Sequence, residues 1–234
     1  MKLLVIDSSG LVATVAIVSE EAMLAEYTVN FKKTHSQTLL PMLNEIIKML
    51  ELNLEEVDAI AVAAGPGSFT GLRIGSATAK GLGLALSKPI VAIPTLEGLA
   101  YNLFGTNQLI CPMMDARRSQ VYTGLYEFQQ SELKVLKPQT AMGIEELLQE
   151  LNELGREVIF LGDGTESYRS VIEEKCEVSY SFAPIHLSRQ RAGAIGALGI
   201  TYYKQNRLET AAAHEPVYLR LSQAERERAE REKL

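Results

Sequence analysis

The sequence is poor in cysteine and lacks a long hydrophobic run. Only Cys111 and Cys176 occur in 234 residues, and neither belongs to a C-x-x-C pair, which argues against a disulfide scaffold or a zinc knuckle. No stretch of eighteen apolar residues offers a membrane span. The first strand also reaches Asp7 too soon for a signal peptide. We therefore expect a soluble, cytoplasmic protein with no membrane association.

Positive charge and histidine are also scarce. The chain has 23 Lys and Arg against 29 Asp and Glu. This balance argues against a broad, autonomous nucleic-acid footprint, although a local basic patch is compatible with it. No H-E-x-x-H motif of a zinc protease occurs. The three histidines (His35, His186 and His214) stand alone, and His35 is expected to cap a helix or to contact a partner.

Small residues are abundant between Ala61 and Ala85, in the sequence AVAAGPGSFTGLRIGSATAKGLGLA. This pattern predicts a buried strand, a glycine turn and then a helix. Because each interior glycine costs a helix about 1 kcal/mol relative to alanine, such a helix depends on tertiary contacts. Its small residues recur every four positions, which is typical of a face that another backbone approaches closely: Gly71, Gly75, Ala79 and Gly83.

The predicted elements form two units with the same order, β-β-β-α-β-α, and each unit has an acidic turn after its first strand. These turns begin at Asp7 and Asp115. In the first unit, Thr38 is the expected N-cap of an apolar helix, which places Pro41 in the first turn, where its missing N–H is harmless. If the helix instead starts earlier, at Ser36, Pro41 would kink it. We expect an α/β fold with lobes at residues 1–104 and 105–223 and a charged tail at 224–234.

This duplicated order resembles the actin/hexokinase/Hsp70 fold. Five motifs in it are distinctive: the turn Asp7-Ser8-Ser9-Gly10, GPGSFTGLRIG from Gly65, DARRSQVY from Asp115, GDG from Gly162 and PVYLR from Pro216. With these motifs the chain resembles the TsaB (YeaZ) family. The resemblance implies a role in making N6-threonylcarbamoyladenosine in tRNAs that read codons beginning with adenine. It also implies a non-catalytic subunit that pairs with the related catalytic subunit TsaD. An ATPase, TsaE, is then expected to act on this pair.

The segment after the glycine-rich helix indicates that metal chemistry is missing. TsaD-like chains carry His-Met-Glu-Gly-His here, and two histidines four residues apart on a helix can hold a metal. This chain has Thr95-Leu96-Glu97-Gly98-Leu99. Leucine cannot coordinate a metal and a threonine hydroxyl is a weak ligand, so we expect no metal and no enzymatic activity of its own.

Two helices are expected to form the partner surface, which would bind a TsaD-like subunit or a second copy of this chain. The first carries an apolar arc too wide for one sheet face, and the second carries the small-residue strip. The alternative is that both faces are covered within the chain. The predicted interface comprises Leu39, Met42, Leu43, Ile46, Gly71, Ile74, Gly75, Thr78, Ala79 and Leu82.

A residual nucleotide cleft is the remaining candidate site. No cofactor is expected to be required, but ATP or ADP could contact Asp7, Ser8 and Ser9 in the first hairpin and Gly162 and Gly164 on the adenosine side. Backbone N–H groups cradle phosphates in such hairpins. The alternative for Asp7 is an ordinary turn residue. In the second hairpin, Arg117 and Arg118 replace glycines and could pair with a carboxylate or phosphate.

Three functions therefore compete. The first is a scaffold subunit that pairs with a TsaD-like protein and meets tRNA only within that complex. The second is an ATP-dependent small-molecule kinase, which the two arginines of the second hairpin disfavour. The third is a tRNA-binding module acting alone, against which the acidic balance argues.

Overall fold

A computed structural model describes residues 1–31 and 34–220, so the predicted tail at 224–234 lies outside the described residues. The strands within these residues are β1 (Lys2–Asp7), β2 (Ala13–Ser19), β3 (Met23–Val29), β4 (Ala59–Gly65), β5 (Ile90–Pro94), β6 (Leu109–Asp115), β7 (Gln120–Gln129), β8 (Glu132–Gly143), β9 (Val158–Leu161) and β10 (Tyr180–Phe182). The α-helices within them are α1 (His35–Met49), α2 (Phe69–Leu86), α3 (Thr95–Ala100), α4 (Ile144–Leu154), α5 (Gly164–Ser167), α6 (Arg169–Lys175) and α7 (Ala192–Lys204).

The strands form two five-stranded sheets with the same topology. The first has the order β3-β2-β1-β4-β5, and the second has the corresponding order β8-β7-β6-β9-β10. In each, the first three strands are antiparallel and the last two add in parallel. This duplication is the actin/hexokinase/Hsp70-like fold, as the sequence predicted.

Side chains along β1 point alternately to the two faces of the first sheet, and different helices pack on these faces. Leu4 and Ile6 face α1 and α2, whereas Leu3 and Val5 face α7 on the opposite side. The helix α7 follows the second sheet in the chain but packs on the first. Conversely, α3 follows the first sheet, yet Leu96 and Leu99 lie in the core of the second. Each sequence unit therefore contributes one helix that packs on the sheet of the other unit.

The helix α1 starts earlier than the sequence predicted. It begins at His35 with Thr34 as N-cap, rather than after Thr38, so Pro41 lies inside the helix. Proline removes one backbone hydrogen bond there, to the carbonyl of Gln37. Both Pro41 and Gln37 are exposed, so water can satisfy that carbonyl. No helix among the described residues is both long and apolar enough to cross a membrane.

Candidate functional site

A cavity of about 450 Å³ lies where the two lobes meet. The hairpin after β1 lines it with Ser9 and Gly10, and the hairpin after β6 lines it with Asp115 and Arg117. The fold places these hairpins at equivalent ends of the two sheets, because β1 and β6 are the central strands of equivalent sheets. The cavity is therefore the structural counterpart of the predicted cleft.

Asp7 lies beneath this cavity and does not line it. Its side chain is fully buried, and its Oδ1 accepts a hydrogen bond of 2.7 Å from the backbone N–H of Ser9. Its Oδ2 has no hydrogen-bond partner among the described residues. Burial raises the pKa of Asp7 from 3.8 to about 6. The carboxyl therefore acts first as a turn residue that fixes the Ser9 backbone.

The other predicted nucleotide contacts are mostly used inside the fold. The Oγ of Ser8 donates to the carbonyl of Gly71 at 2.8 Å. A Cβ on Gly162 would overlap the Met113 carbonyl at 2.0 Å, and one on Gly164 would lie only 3.0 Å from Met113, so both glycines allow close packing against β6. Of the five predicted contacts, Asp7, Ser8, Ser9, Gly162 and Gly164, the structure brings Ser9 alone to the cavity wall. Contact of Gly162 and Gly164 with an adenosine group stays a prediction.

The second hairpin has an unusual backbone. Arg117, Arg118 and Ser119 have φ values of 66°, 56° and 56°, a left-handed conformation that costs roughly 1–2 kcal/mol for each non-glycine residue. Asp115 holds the turn, since its Oδ1 accepts from the backbone N–H of Arg117 at 2.8 Å. Both arginine side chains remain exposed, so the hairpin presents guanidinium groups where a glycine loop would present only backbone.

The segment of α3 that matches the metal motif is engaged in packing. The Oγ1 of Thr95 accepts a hydrogen bond of 3.1 Å from the Gly65 N–H, and Leu99 is buried in an apolar cluster. Glu97 accepts a hydrogen bond from the Tyr202 hydroxyl. A Cβ on Gly98 would meet Ile195 at 2.8 Å. The residues retained from the motif thus join α3 to α7. Residues 1–31 and 34–220 contain no cluster of three His, Cys, Asp or Glu side chains suited to a metal.

The predicted partner surface needs correction. Seven of its ten residues are buried within the chain: Leu39, Met42, Leu43, Ile46, Gly71, Gly75 and Ala79. The four α1 residues pack on the first sheet. A Cβ on Gly71 would collide with the Ser8 carbonyl, and one on Gly75 would lie 2.5 Å from the Ser8 Oγ. The strip therefore serves close packing of α2 on the hairpin after β1, and only Ile74, Thr78 and Leu82 are partly exposed.

A second small-residue strip on α2, which the sequence analysis missed, faces outward. It consists of Ala77, Gly81 and Ala85, again four residues apart and all exposed. A Cβ on Gly81 would meet no atom within 4 Å. The exposed Leu40 lies on the outer side of α1, which covers the same sheet face. This outer strip of Ala77, Gly81 and Ala85 is part of the exposed surface of α2, which also carries Arg73 and Leu84.

Comparison with known proteins identifies the family. The family model described as "TsaD: tRNA N6-adenosine threonylcarbamoyltransferase" matches residues 23–228. The tRNA threonylcarbamoyladenosine biosynthesis protein TsaB of Bacillus subtilis (strain 168) is 34% identical over 225 residues, which cover 96% of each chain. The chain belongs to the TsaB (YeaZ) family. The protein of the same name from Escherichia coli (strain K12) is 29% identical over 184 residues, 74% of this chain and 76% of that one.

A solved structure supports the same assignment. YeaZ from Pseudomonas aeruginosa superimposes with a TM-score of 0.81 at 27% identity, covering 93% of this chain and 99% of that chain. Over the part of the chain that the comparison covers, this TsaB-family chain therefore has the same fold as YeaZ from Pseudomonas aeruginosa.

The histidines of this TsaB-family chain do not lie together. His35 is the first residue of α1, and its Nε2 lies 2.8 Å from the carbonyl of Gly10, so it ties the helix to the hairpin after β1. His186 is exposed. His214 is fully buried and contacts Ser76 and Glu209. The three histidines are thus apart from one another, and the fold brings His214 to Ser76, 138 residues away in the sequence.

Proposed function

We propose that this chain is a non-catalytic subunit required for the formation of N6-threonylcarbamoyladenosine in tRNAs that read codons beginning with adenine. Its relatives in Bacillus subtilis and Escherichia coli carry the name of that biosynthesis. The chain would act by pairing with a TsaD-like catalytic subunit, as the resemblance implies.

One observation carries the non-catalytic part of this proposal. Thr95 and Leu99 occupy the positions at which TsaD-like chains have histidines, and both side chains are committed to the fold. Leucine offers no lone pair to a metal, and the Thr95 hydroxyl already accepts a backbone hydrogen bond. Chemistry that depends on a metal at this place would therefore have to come from the partner.

The partner surface that we propose is the outer strip of α2, together with Ile74, Thr78, Leu82 and Leu40. Exposed alanine and glycine at a spacing of four allow the close approach of another helix, and they lose little side-chain entropy on burial. A TsaD-like subunit is the proposed occupant, and a second copy of this chain takes its place when the protein is alone. A TsaE-like ATPase would act on the pair, and tRNA would be bound only by the complex, since this chain has a net charge of −6.

No cofactor is required under this proposal, and contact with ATP or ADP stays a prediction. Of the residues predicted to contact the nucleotide, Ser9 is the best placed, because it lines the cavity. The packing of Gly162 and Gly164 against Met113 does not favour a nucleotide contact at these glycines.

A reconstitution tests the proposal. The purified chain is mixed with its TsaD-like and TsaE-like counterparts, unmodified tRNA and the activated threonylcarbamoyl donor, and each component is then omitted in turn. We expect modification to be lost when this chain is omitted and to return when it is added back. Modification at the full rate without it would contradict the proposal. So would turnover of the donor, or phosphoryl transfer to a small molecule, by this chain alone.

A further inference from the structure

Aromatic and arginine side chains join the first two turns of α2 to residues 216–220, which have the sequence PVYLR. The guanidinium carbon of Arg73 lies 4.0 Å from the centre of the Phe69 ring. The Phe69 ring in turn packs on Tyr218, with 4.5 Å between the two ring centroids. Arg73 is exposed, and Tyr218 is 38% exposed. An arginine and an aromatic ring from two distant parts of the sequence thus share one surface.

The same segment extends this surface to the second lobe. The Val217 N–H donates to the carbonyl of Ala64 at 2.7 Å, which holds the segment on the first lobe. The Arg220 guanidinium donates to the carbonyl of Ala116, in the hairpin after β6. The two residues that follow Ala116 are also arginines, and both are exposed. We call the whole surface the arginine surface, and it consists of Arg73, Phe69, Tyr218, Arg220, Arg117 and Arg118.

The arginine surface carries positive charge that the chain does not neutralise. Its one ion pair within the described residues joins Arg117 to Asp115 at 3.3 Å, and the Arg117 side chain is 86% exposed. An exposed pair of this kind contributes little and is easily exchanged for another anion. The Asp115 Oδ1 also accepts from the Tyr168 hydroxyl at 3.1 Å. Helix α2 and residues 116–119 and 216–220 contain no Asp or Glu. The surface is therefore positive in a chain whose net charge is −6.

The hairpin after β6 presents its two arginines in a strained backbone. Arg117 and Arg118 have φ values of 66° and 56°, in the left-handed region, which costs roughly 1–2 kcal/mol for each non-glycine residue. Their exposed side chains gain no burial that would offset this cost. Backbone strain that persists without a packing reason is typical of segments that bind a ligand or a partner. The tip of this hairpin is therefore a candidate for recognition.

The chemistry of the arginine surface fits RNA better than it fits an acidic protein. Guanidinium groups pair with phosphate oxygens as well as with carboxylates, and one bond to a carbonyl leaves Arg220 with further N–H donors. An exposed aromatic ring distinguishes the two partners, because an unpaired base stacks on such a ring whereas an acidic side chain does not. Tyr218 supplies that ring, and arginines lie on both sides of it along the surface.

We propose that the arginine surface binds the phosphate backbone of the tRNA, with Tyr218 stacked on an unpaired base. This inference rests on the proposed pairing with a TsaD-like subunit and goes beyond it, since it gives this chain a direct contact with the RNA. The net charge of −6 opposes tight binding of RNA by the chain alone. The contact therefore adds to the affinity of the complex, in which the partner supplies the remaining RNA contacts.

The affinity of the complex for unmodified tRNA tests the proposal, measured by fluorescence anisotropy without the threonylcarbamoyl donor. The double variant Arg117→Ala/Arg118→Ala should bind at least about tenfold more weakly at roughly 0.1 M salt. The slope of log K against log salt concentration should become shallower by about 2, because each lost phosphate contact removes roughly 1. Arg117→Lys/Arg118→Lys should keep most of the affinity. Alanine and lysine both retain a Cβ, so neither relieves the strain of the hairpin.

Two further variants separate the parts of the surface. Tyr218→Leu should weaken binding by about fivefold or more without changing the salt slope, because it removes a stacking surface and no charge. An unchanged affinity in this variant would overturn the stacking contact. The matched control is Arg156→Ala, which removes an exposed arginine paired with Glu127 on the second lobe and should bind like the wild type.

Size-exclusion chromatography of each complex separates this inference from the proposed function. All the variants should pair with the TsaD-like subunit, since they leave the outer strip of α2 unchanged. Two results overturn the phosphate contact: the wild-type complex does not bind tRNA, or the double alanine variant binds it with the affinity and salt slope of the wild type. Loss of pairing in the double alanine variant would also overturn it, because the arginine surface would then contact the protein partner. Failure of the wild type itself to pair contradicts the proposed function, and the inference with it.

Discussion

The Ser76 Oγ lies 3.0 Å from the Nε2 of His214, although 138 residues separate them in the sequence. The Nδ1 of the same imidazole lies 2.5 Å from the Oε1 of Glu209. This connectivity is that of a hydrolase triad, but Ser76 is 2% exposed and His214 is 0% exposed. A substrate has no path to such a serine, so the contacts fasten residues 209–214 to α2 rather than perform catalysis.

The first prediction concerns this buried chain of hydrogen bonds. We expect His214→Ala to lower the free energy of unfolding by roughly 2–4 kcal/mol, because it leaves a cavity and an unpaired Ser76 hydroxyl. Ser76→Ala should cost about 1–2 kcal/mol. Urea unfolding followed by circular dichroism measures both. His186→Ala, at an exposed position, is the control, and equal losses in all three variants would contradict the argument.

The second prediction concerns the buried carboxyl of Asp7. Burial raises its pKa from 3.8 to about 6, so the folded state favours the protonated form. Ionisation of the buried carboxyl near neutral pH therefore costs the folded state free energy. Unfolding releases that cost, and the contribution of Asp7 to the stability of the wild type therefore falls as the pH rises from about 4 to about 6. Asp7→Asn keeps the Oδ1 acceptor for Ser9 without the charge.

We expect Asp7→Asn to be more stable than the wild type at pH 7 by roughly 2–3 kcal/mol, at 1.36 kcal/mol per pKa unit. The difference should shrink as the pH falls through 6 and vanish near pH 3.8. Urea unfolding of both proteins between pH 4 and pH 8 measures it, and comparing the two cancels the titration of other groups. A difference that is constant with pH would show that Asp7 has an ordinary pKa.

The duplicated sheet order could be predicted from the sequence because buried strands and turns are recognised from residues that are close together in the chain. Buried runs such as Leu3–Ile6, and the acidic turns at Asp7 and Asp115, recur in both halves. The exchange of α3 and α7 between the lobes was not predictable. Apolar periodicity identifies the face of a helix that is buried, but it does not identify the sheet that covers it.

The candidate site was only partly predictable for a related reason. The two hairpins follow from their strands, whereas Arg220 reaches Ala116 across 104 residues of sequence. Small residues recur every four positions on two sides of α2, and spacing alone cannot distinguish the packed strip from the outer one. The exposed Arg73, four residues before Ala77, is the one local sign of the solvent side.

The third prediction compares two glycines of α2. Gly71→Ala should lower the free energy of unfolding by roughly 2–4 kcal/mol, because the new methyl group would overlap the Ser8 carbonyl and force the backbone to move. Gly81→Ala should raise it by up to about 1 kcal/mol, since alanine favours the helix and this position is open. Urea unfolding at a concentration at which the protein is monomeric tests both, and effects of the same sign would contradict the packing of α2.

The fourth prediction concerns the proposed partner surface. Ala77→Glu and Gly81→Glu place a charge on the outer strip, where burial against an apolar helix would desolvate it. We expect either variant to stay folded, because both positions are exposed, and to lose the complex with the TsaD-like subunit in size-exclusion chromatography. The homodimer that we propose for the chain alone should be lost as well. By contrast, Gly71→Leu would not test pairing, since a side chain there collides with the fold.

A charge-matched variant on another helix completes the experiment. Ser170→Glu adds the same charge to an exposed position of α6, in the second lobe, and should pair like the wild type. Pairing is then linked to function by measuring tRNA modification in the reconstituted mixture, which should fall with Ala77→Glu and not with Ser170→Glu. If Ala77→Glu still forms the full complex, the partner binds another surface. Loss of pairing in both variants would instead indicate a general effect of charge, because the acidic chain and its partner would then repel each other wherever the new carboxylate lies.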